Sequence, residues 1–220
     1  MIDVLDIVKK YFEVTPCDVP DEFASMKTSK MKTAIEQYDI AGLGNMTMQH
    51  ASGMMGLMKM EMVCITPLER DMPLFSLDII DVLGNYTVLT EFYDVTLENR
   101  ADLNEIFLGI KDGYSSIPDG TAESKWYDNI RWPSSVCKKG KKKQIATQCD
   151  DLMREFLEFY VSYASKMDLV LDKEAKRQAS DAYVQGLLDN GGPSTDVFVD
   201  MLGKEKTTEY FKKYIFGTEK

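Results

Sequence analysis

The segment 86–94 of the sequence ends in an aspartate that could hold a proton. Alternating residues of this segment predict one face of a strand, which carries Tyr86, Val88, Thr90 and Phe92 before Asp94. An apolar face removes a carboxylate from water, so we expect a raised pKa for Asp94 and a role as general acid. The alternative is structural, because aspartates at strand ends commonly accept hydrogen bonds from the following turn.

His50 is the only histidine, so any imidazole proton donor must be this residue, although a lone histidine is often structural or exposed. The four cysteines are widely spaced and include no C-x-x-C pair, which leaves no usual ligand set for zinc or an iron–sulfur cluster. No nucleotide-binding or serine-hydrolase motif occurs. Redox chemistry would therefore need electrons from a bound cofactor or a partner.

Methionine is concentrated before and within a second predicted strand. Residues 57–64 alternate with period two, which places Met58, Met60, Met62 and Cys64 on one face. Methionine side chains are soft and polarizable, so this face could form a pocket wall against a planar ligand. The alternative is ordinary core packing of a helix onto a sheet.

A run of lysines stands out in an acidic chain. The net charge is −10, which argues against nucleic acid as a partner, yet residues 138–143 read KKGKKK. The basic side chains are Lys138, Lys139, Lys141, Lys142 and Lys143. They form either a docking patch for an acidic partner or a solvated loop.

The sequence shows no sign of membrane insertion or export. No apolar run approaches the roughly 18 residues that span a bilayer. The amphipathic first residues carry acids early and do not resemble a signal peptide. We therefore expect a cytoplasmic protein with reduced thiols and no membrane partner.

The order of the predicted elements indicates a single α+β domain over residues 1–220. A helix at 2–12 precedes strands at 57–64 and 74–82, and a tight turn at Gly84-Asn85 leads into the strand 86–94. Residues 98–146 are polar and turn-rich, with a short helix at 103–110. Helical periodicity then follows at 149–166, 172–189, 195–203 and 205–216, where Asp172 and Ser194 or Thr195 are candidate caps. Strands followed by helices favour layered α+β architecture over a doubly wound sheet.

Two stretches resemble the ferredoxin-dependent bilin reductases. The first, within 57–97, holds MPLFSLDIID and TEFYDVTL, similar to the family pattern P-[LIM]-F-x-x-D-[IL], a hairpin and a strand ending in aspartate. The second, within 174–217, holds KRQASDAY and VDMLGKEKTTEYFKKYIFG, similar to the family's closing helices. The resemblance covers about half of the chain.

This resemblance implies a three-layer α/β/α sandwich with a central antiparallel sheet and a tetrapyrrole pocket beneath the C-terminal helices. Members of the family bind no metal or flavin. They take single electrons from reduced ferredoxin, and protein groups donate protons to a biliverdin-type bilin. For this chain the expected electron donor is ferredoxin or flavodoxin. By this resemblance Asp94 matches the central proton-donating aspartate and Asp189 a second one. A family histidine position is occupied by Met62, and an upstream acid or histidine falls near Gln49 or His50.

The predicted site therefore has three parts. The proton donors are Asp94, Asp189 and His50. The bilin contacts are Met58, Met60, Met62 and Phe92, and the lysine run is the docking patch for ferredoxin. Two other hypotheses remain open: a tetrapyrrole-binding protein of the same fold without reductase activity, and a structural or regulatory domain with a filled pocket.

Overall fold

The central layer is an antiparallel sheet, as the period-two segments predict. The structure, a computed structural model, describes residues 2–28, 31–121, 125–192 and 195–219. The strands in these ranges are β1 (Val14–Cys17), β2 (Ser25–Lys27), β3 (Met31–Ile40), β4 (Gly44–Gly53), β5 (Met58–Pro67), β6 (Leu74–Val82), β7 (Asn85–Tyr93) and β8 (Val136–Lys141). They form one sheet in the order β1-β3-β4-β5-β6-β7-β8, and β2 pairs with β3.

Helices cover both faces of this sheet. They are α1 (Val4–Lys9), α2 (Asp21–Ala24), α3 (Ala101–Gly113), α4 (Lys142–Lys166), α5 (Lys173–Asn190), α6 (Thr195–Leu202) and α7 (Lys204–Glu209). Helix α7 continues as a π-helical segment, Tyr210–Ile215, and a 3-10 turn spans Trp126–Asn129. In the part of the chain that the structure describes, no helix is long and apolar enough to cross a membrane.

The two faces of the sheet build two separate apolar cores. On one face Tyr86, Val88 and Phe92 of β7 pack with α1, α3 and α4. On the other face Cys64 and Tyr93 pack with α5, α6 and the π-helical segment. The predicted α+β fold, a three-layer α/β/α sandwich around an antiparallel sheet, is confirmed.

The hairpin between β6 and β7 fixes the register of these two strands. Val82 pairs with Asn85, and the two residues between them adopt left-handed backbone, with φ of 54° at Leu83 and 76° at Gly84. Such a two-residue turn matches the twist of antiparallel strands. The pairing that follows sets Ser76 opposite Glu91 and Asp78 opposite Leu89.

The prediction for residues 98–146 is wrong in three respects. The short helix is longer than expected and spans Ala101–Gly113, and α4 begins at Lys142 rather than near residue 149. The lysine run is not a loop, because residues 138–141 form part of edge strand β8, hydrogen-bonded to β7. Alternation along β8 buries Lys138 and exposes Lys139, a pattern that a charge count does not reveal.

Helix α5 begins at an aspartate cap, and one buried lysine anchors it to the segments that flank β6 and β7. The Asp172 carboxylate accepts a hydrogen bond from the backbone N–H of Ala175, which confirms the predicted N-cap. Lys176 is fully buried and its Nζ donates to the carbonyl oxygens of Met72 and Val95, at 2.8 and 2.5 Å. Burial lowers the pKa of Lys176 to about 8, despite the nearby Asp71 carboxylate.

Ser194, the alternative cap of α6, lies outside the described residues.

Candidate active site

A pocket lies between the sheet and the C-terminal helices, where polar side chains interrupt an otherwise apolar strand face. The sheet contributes Gln49, Met62, Ser76, Asp78, Glu91 and Tyr93, and the helical layer contributes Tyr183, Leu187, Thr195, Phe211, Ile215 and Phe216. The enclosed volume is about 80 Å³. Aromatic and aliphatic walls around a few polar groups are typical of small-molecule sites.

Asp78 is the carboxyl group at the centre of this pocket. It lies in the middle of β6, opposite Met62 of β5 and Leu89 of β7, and the exposed part of its side chain faces the pocket. Burial raises its pKa from 3.8 to about 7, the charge of Glu91 adds to this rise, and a hydrogen bond from Ser76 opposes it. Asp78 therefore holds a proton close to neutral pH, as a general acid must.

Glu91 is the second carboxylate of the pocket and it is firmly held. Its Oε2 accepts a hydrogen bond of 2.8 Å from the hydroxyl of Tyr93, and its Oε1 accepts one of 3.0 Å from Nη1 of Arg131. Arg131 also pairs with Asp128 at 2.8 Å. Only 8% of Glu91 is exposed, so this ion pair lies at the boundary of the protein interior.

Side-chain hydrogen bonds fix the opposite end of the pocket. Gln49 is buried in β4, and its amide Nε2 donates to the hydroxyls of Thr33 and Tyr210, at 2.8 and 3.3 Å. Two further side chains of β4, Asn45 and Thr47, donate to carbonyl oxygens of the π-helical segment. The last carbonyls of a helix have no partner within the helix, so β4 anchors the end of this segment through them.

Stacked tyrosines form the third side. The rings of Tyr93 and Tyr183 stack with centroids 4.6 Å apart, and Tyr183 also meets Phe216 edge to face. Burial raises the pKa of both tyrosines well above its usual value. The rings therefore act as neutral, flat surfaces and hydrogen-bonding groups at neutral pH.

The sheet face continues beyond the enclosed pocket as a partly open apolar floor. Side chains that share the face of Asp78 on neighbouring strands are half-buried there: Met58, Met60, Ile80, Val82 and Leu89. A half-buried apolar surface that adjoins a polar pocket offers room for a ligand larger than the pocket itself.

A buried thiol lies close to this site. Cys64 lies on the same sheet face as Asp78, and burial raises the pKa of its thiol to about 12, so the thiol stays protonated. Across residues 2–28, 31–121, 125–192 and 195–219, no group of three or more His, Cys, Asp or Glu side chains could hold a metal ion.

Comparison with known proteins identifies the family. The family model of the ferredoxin-dependent bilin reductases matches residues 3–217, nearly the whole chain. The chain belongs to the ferredoxin-dependent bilin reductase family. No curated protein matches the sequence significantly.

A solved structure resembles the fold of this bilin reductase family member. It is the crystal structure of phytochromobilin synthase from tomato in complex with biliverdin, with a TM-score of 0.78. The match covers 98% of this chain and 80% of that chain, with 12% sequence identity. At this identity the likeness concerns the fold.

In this bilin reductase family member Asp94 lies outside the pocket, and Asp78 lines it. The prediction that Asp94 loses its hydration is wrong, because the side chain is exposed. Its Oδ1 accepts hydrogen bonds from the backbone N–H and the hydroxyl of Thr96, at 3.2 and 2.6 Å. Asp94 therefore has the structural role of a strand-end aspartate that binds the following turn. The segment Pro73–Ile79 reads PLFSLDI, so Asp78 occupies the aspartate of the family pattern P-[LIM]-F-x-x-D-[IL].

The other predicted proton donors also lie outside the pocket. His50 is exposed on β4, where alternation points it away from the face of its neighbour Gln49. Asp189 is exposed near the end of α5, and its Oδ1 accepts a hydrogen bond from Gln185. Gln49, the other candidate at that position of β4, is the residue that enters the pocket.

The predicted bilin contacts divide between the two faces. Met62 lines the pocket, and Met58 and Met60 share its sheet face as predicted. Phe92 is fully buried on the opposite face, stacked on Phe107 with centroids 4.1 Å apart, so it cannot touch a ligand in this pocket.

One of the five lysines of the run is structural. Lys138 is only 2% exposed, and its Nζ donates to the carbonyl oxygen of Ile117 and to Asp119. Lys139, Lys141, Lys142 and Lys143 are exposed. Lys141 donates to the side chain of Asn85, and Lys142 pairs with Asp81 at 2.8 Å.

Proposed function

We propose that this protein reduces a linear tetrapyrrole of the biliverdin type, with electrons from reduced ferredoxin or a flavodoxin. The observation that carries the proposal is Asp78, a carboxyl group with a pKa of about 7 that faces the pocket from a central strand. Family membership and the biliverdin bound to the tomato relative support the same substrate class.

The size of the enclosed pocket bears on how the bilin binds. Pockets that hold drug-sized ligands measure roughly 300–1,000 Å³, whereas the enclosed part here is about 80 Å³. In our proposal one portion of the bilin lies at Asp78 and the rest covers the apolar floor of Met58, Met60 and Leu89. Methionine suits this role because its flexible, polarizable side chain adapts to a flat π-system.

The proton chemistry follows from the position of Asp78. Reduction of one double bond consumes two electrons and two protons, and each added electron makes the bilin more basic. A protonated Asp78 transfers its proton to the reduced bilin, forms a new C–H or N–H bond there, and becomes a carboxylate. The electrons come singly from the external donor, so the proposed reaction uses no bound flavin or metal.

We place the docking surface for the electron donor at the exposed lysines of the run. The register of β8 with β7 sets Lys139 opposite Thr87 and Lys141 opposite Asn85, on the same sheet face as the pocket and its floor. Lys143 extends this surface at the start of α4. An acidic electron carrier would be steered to such a patch in an otherwise acidic protein.

The first test is a titration of the purified protein with biliverdin, followed by anaerobic addition of reduced ferredoxin. We expect a shifted visible absorption band on binding and loss of the biliverdin band on reduction. Binding without reduction would favour the alternative, a tetrapyrrole-binding protein of this fold. No spectral change at concentrations well above micromolar would contradict both functions.

A further inference from the structure

Glu91 borders two cavities at once. One is the pocket that holds Asp78. The other is an open cavity of about 320 Å³ near the end of β8, lined by Lys111, Asp128, Arg131, Trp132, Pro133, Ser135, Val136 and Cys137 in addition to Glu91. Among the described residues, Glu91 is the one side chain that lines both. It therefore lies between the pocket that holds Asp78 and the second cavity.

A proton path requires a group that can gain and lose a proton near neutral pH. The titratable groups that face or interact with Asp78 are Cys64 of β5, Glu91 and Tyr93 of β7, Tyr127 of the 3-10 turn and Tyr183 of α5. Burial raises the pKa of Cys64 to about 12 and those of Tyr93 and Tyr183 well above their usual value. Burial also raises the pKa of Tyr127 to about 12, so these four groups keep their protons at neutral pH. The remaining group that faces Asp78 is the Glu91 carboxyl, which also lines the outer cavity.

Ser76 is a neighbour of both carboxyl groups on the sheet face. Its hydroxyl donates to Oδ2 of Asp78 at 3.2 Å, and Ser76 is also the cross-strand partner of Glu91. Side chains directly opposite each other in an antiparallel pair have Cβ atoms about 4.5–5.5 Å apart. A serine hydroxyl can accept one proton and donate another by rotating, so it can bridge the two groups.

We propose that Glu91 relays protons from the outer cavity to Asp78, a role that rests on the proposed bilin reduction. Asp78 becomes a carboxylate each time it protonates the reduced bilin. A proton from water in the outer cavity then protonates Glu91, which passes it through the Ser76 hydroxyl to the Asp78 carboxylate. Both protons added to a double bond thus come from water, and both electrons come from the external donor. Arg131 and Tyr93 hold the Glu91 carboxylate in position between transfers.

The test separates the first proton transfer from the recharging of Asp78. In Glu91→Gln, the first protonation of the reduced bilin by a pre-protonated Asp78 should keep the rate of the parent protein. The rate of multiple turnover in weak buffer should fall roughly 10²-fold, which lies within the usual range for general acid–base catalysis. In Glu91→Ala, a small acid such as formate, which fits the vacated space, should restore turnover in proportion to its concentration. Glu105→Gln, on the exposed side of α3, makes the same charge change and should leave turnover unaltered.

Ser76→Ala provides a second variant that leaves the Glu91–Arg131 ion pair intact, and it should show the same slow recharging if the Glu91 variants do not fold. The relay is overturned if Glu91→Gln turns over like the parent protein. It is also overturned if the first protonation slows as much as multiple turnover and no small acid restores it, because Glu91 would then be structural. If the parent protein does not reduce the bilin at all, the proposed function fails and the relay fails with it.

Discussion

Glu91 and Asp78 lie on neighbouring strands of the sheet, on the same face and two residues apart in register. Glu91 pairs with Ser76, two residues before Asp78 along β6. Like charges at this separation oppose each other, and Arg131 and Tyr93 bind Glu91, whereas the hydrogen bond described for Asp78 comes from Ser76. Burial, with a smaller contribution from the charge of Glu91, therefore raises the pKa of Asp78 in the pocket.

The raised pKa of Asp78 makes stability depend on pH. Between about pH 4 and pH 7 the folded protein holds a proton that the unfolded chain releases, so the free energy of unfolding falls as the pH rises through this window and levels off above it. In Asp78→Asn this pH-dependent fall in the free energy of unfolding should be absent. Relative to the parent protein, its free energy of unfolding should rise across the window by at most about 4 kcal/mol. Urea denaturation at several pH values measures the difference, and a difference that does not vary with pH would contradict the raised pKa.

The lysine surface is tested by replacing Lys139, Lys141 and Lys143 with serine. Loss of the positive patch should slow reduction by ferredoxin about tenfold at low salt and flatten its salt dependence. Biliverdin binding should not change. The matched control replaces exposed Lys9, Lys166 and Lys204 with serine, which alters the net charge equally. Equal rates in the two triple variants at low salt would show that the run is a solvated surface.

Lys176 should be essential for the packing of α5. In Lys176→Met the carbonyl oxygens of Met72 and Val95 lose their buried donor, so we expect the free energy of unfolding to fall by about 2 kcal/mol at neutral pH. The deficit should grow between about pH 8 and pH 10.5, where the parent protein gains stability because the unfolded chain binds the extra proton.

The control for this variant is Lys173→Met, one turn earlier on α5. Lys173 is exposed and pairs with Glu69, so its loss should cost under about 0.5 kcal/mol. Denaturation curves of the two variants measure the difference in their free energies of unfolding. Equal stability of Lys176→Met and Lys173→Met would mean that the buried lysine does not anchor the helix.

The sequence is informative for the fold where one periodicity is unbroken. Strands β5, β6 and β7 begin and end within about three residues of the predicted bounds, because their apolar residues alternate and Pro67 and Gly84 mark their ends. Strand β8 is missed because the segment KKGKKK shows no apolar alternation. Its one inward lysine, Lys138, is satisfied by Asp119, a contact that no local pattern reveals.

For the site, the strand face that carries the methionines was predictable, but the carboxyl group that lines the pocket was not. The end of β7 points to Asp94, whose side chain is exposed, whereas Asp78 in the middle of β6 lies in the pocket beneath the C-terminal helices. Ser76 and Asp78 alternate with Leu77 and Ile79 inside β6, and polar residues at that spacing in a central strand indicate a buried polar site. The partnership of Glu91 with Arg131 joins residues 40 positions apart and needs the tertiary structure.

The central claim is that Asp78 is the proton donor for bilin reduction, and the most direct measurement compares Asp78→Asn with Asp94→Asn. Both variants remove one carboxyl group and keep the side-chain shape, and both should bind biliverdin like the parent protein. After anaerobic addition of reduced ferredoxin, Asp78→Asn should accept electrons, accumulate a bilin radical and lose roughly 10²–10⁴ of the reduction rate, while Asp94→Asn should match the parent protein. Reduction by Asp78→Asn at the parent rate, or a larger loss in Asp94→Asn, would contradict the account.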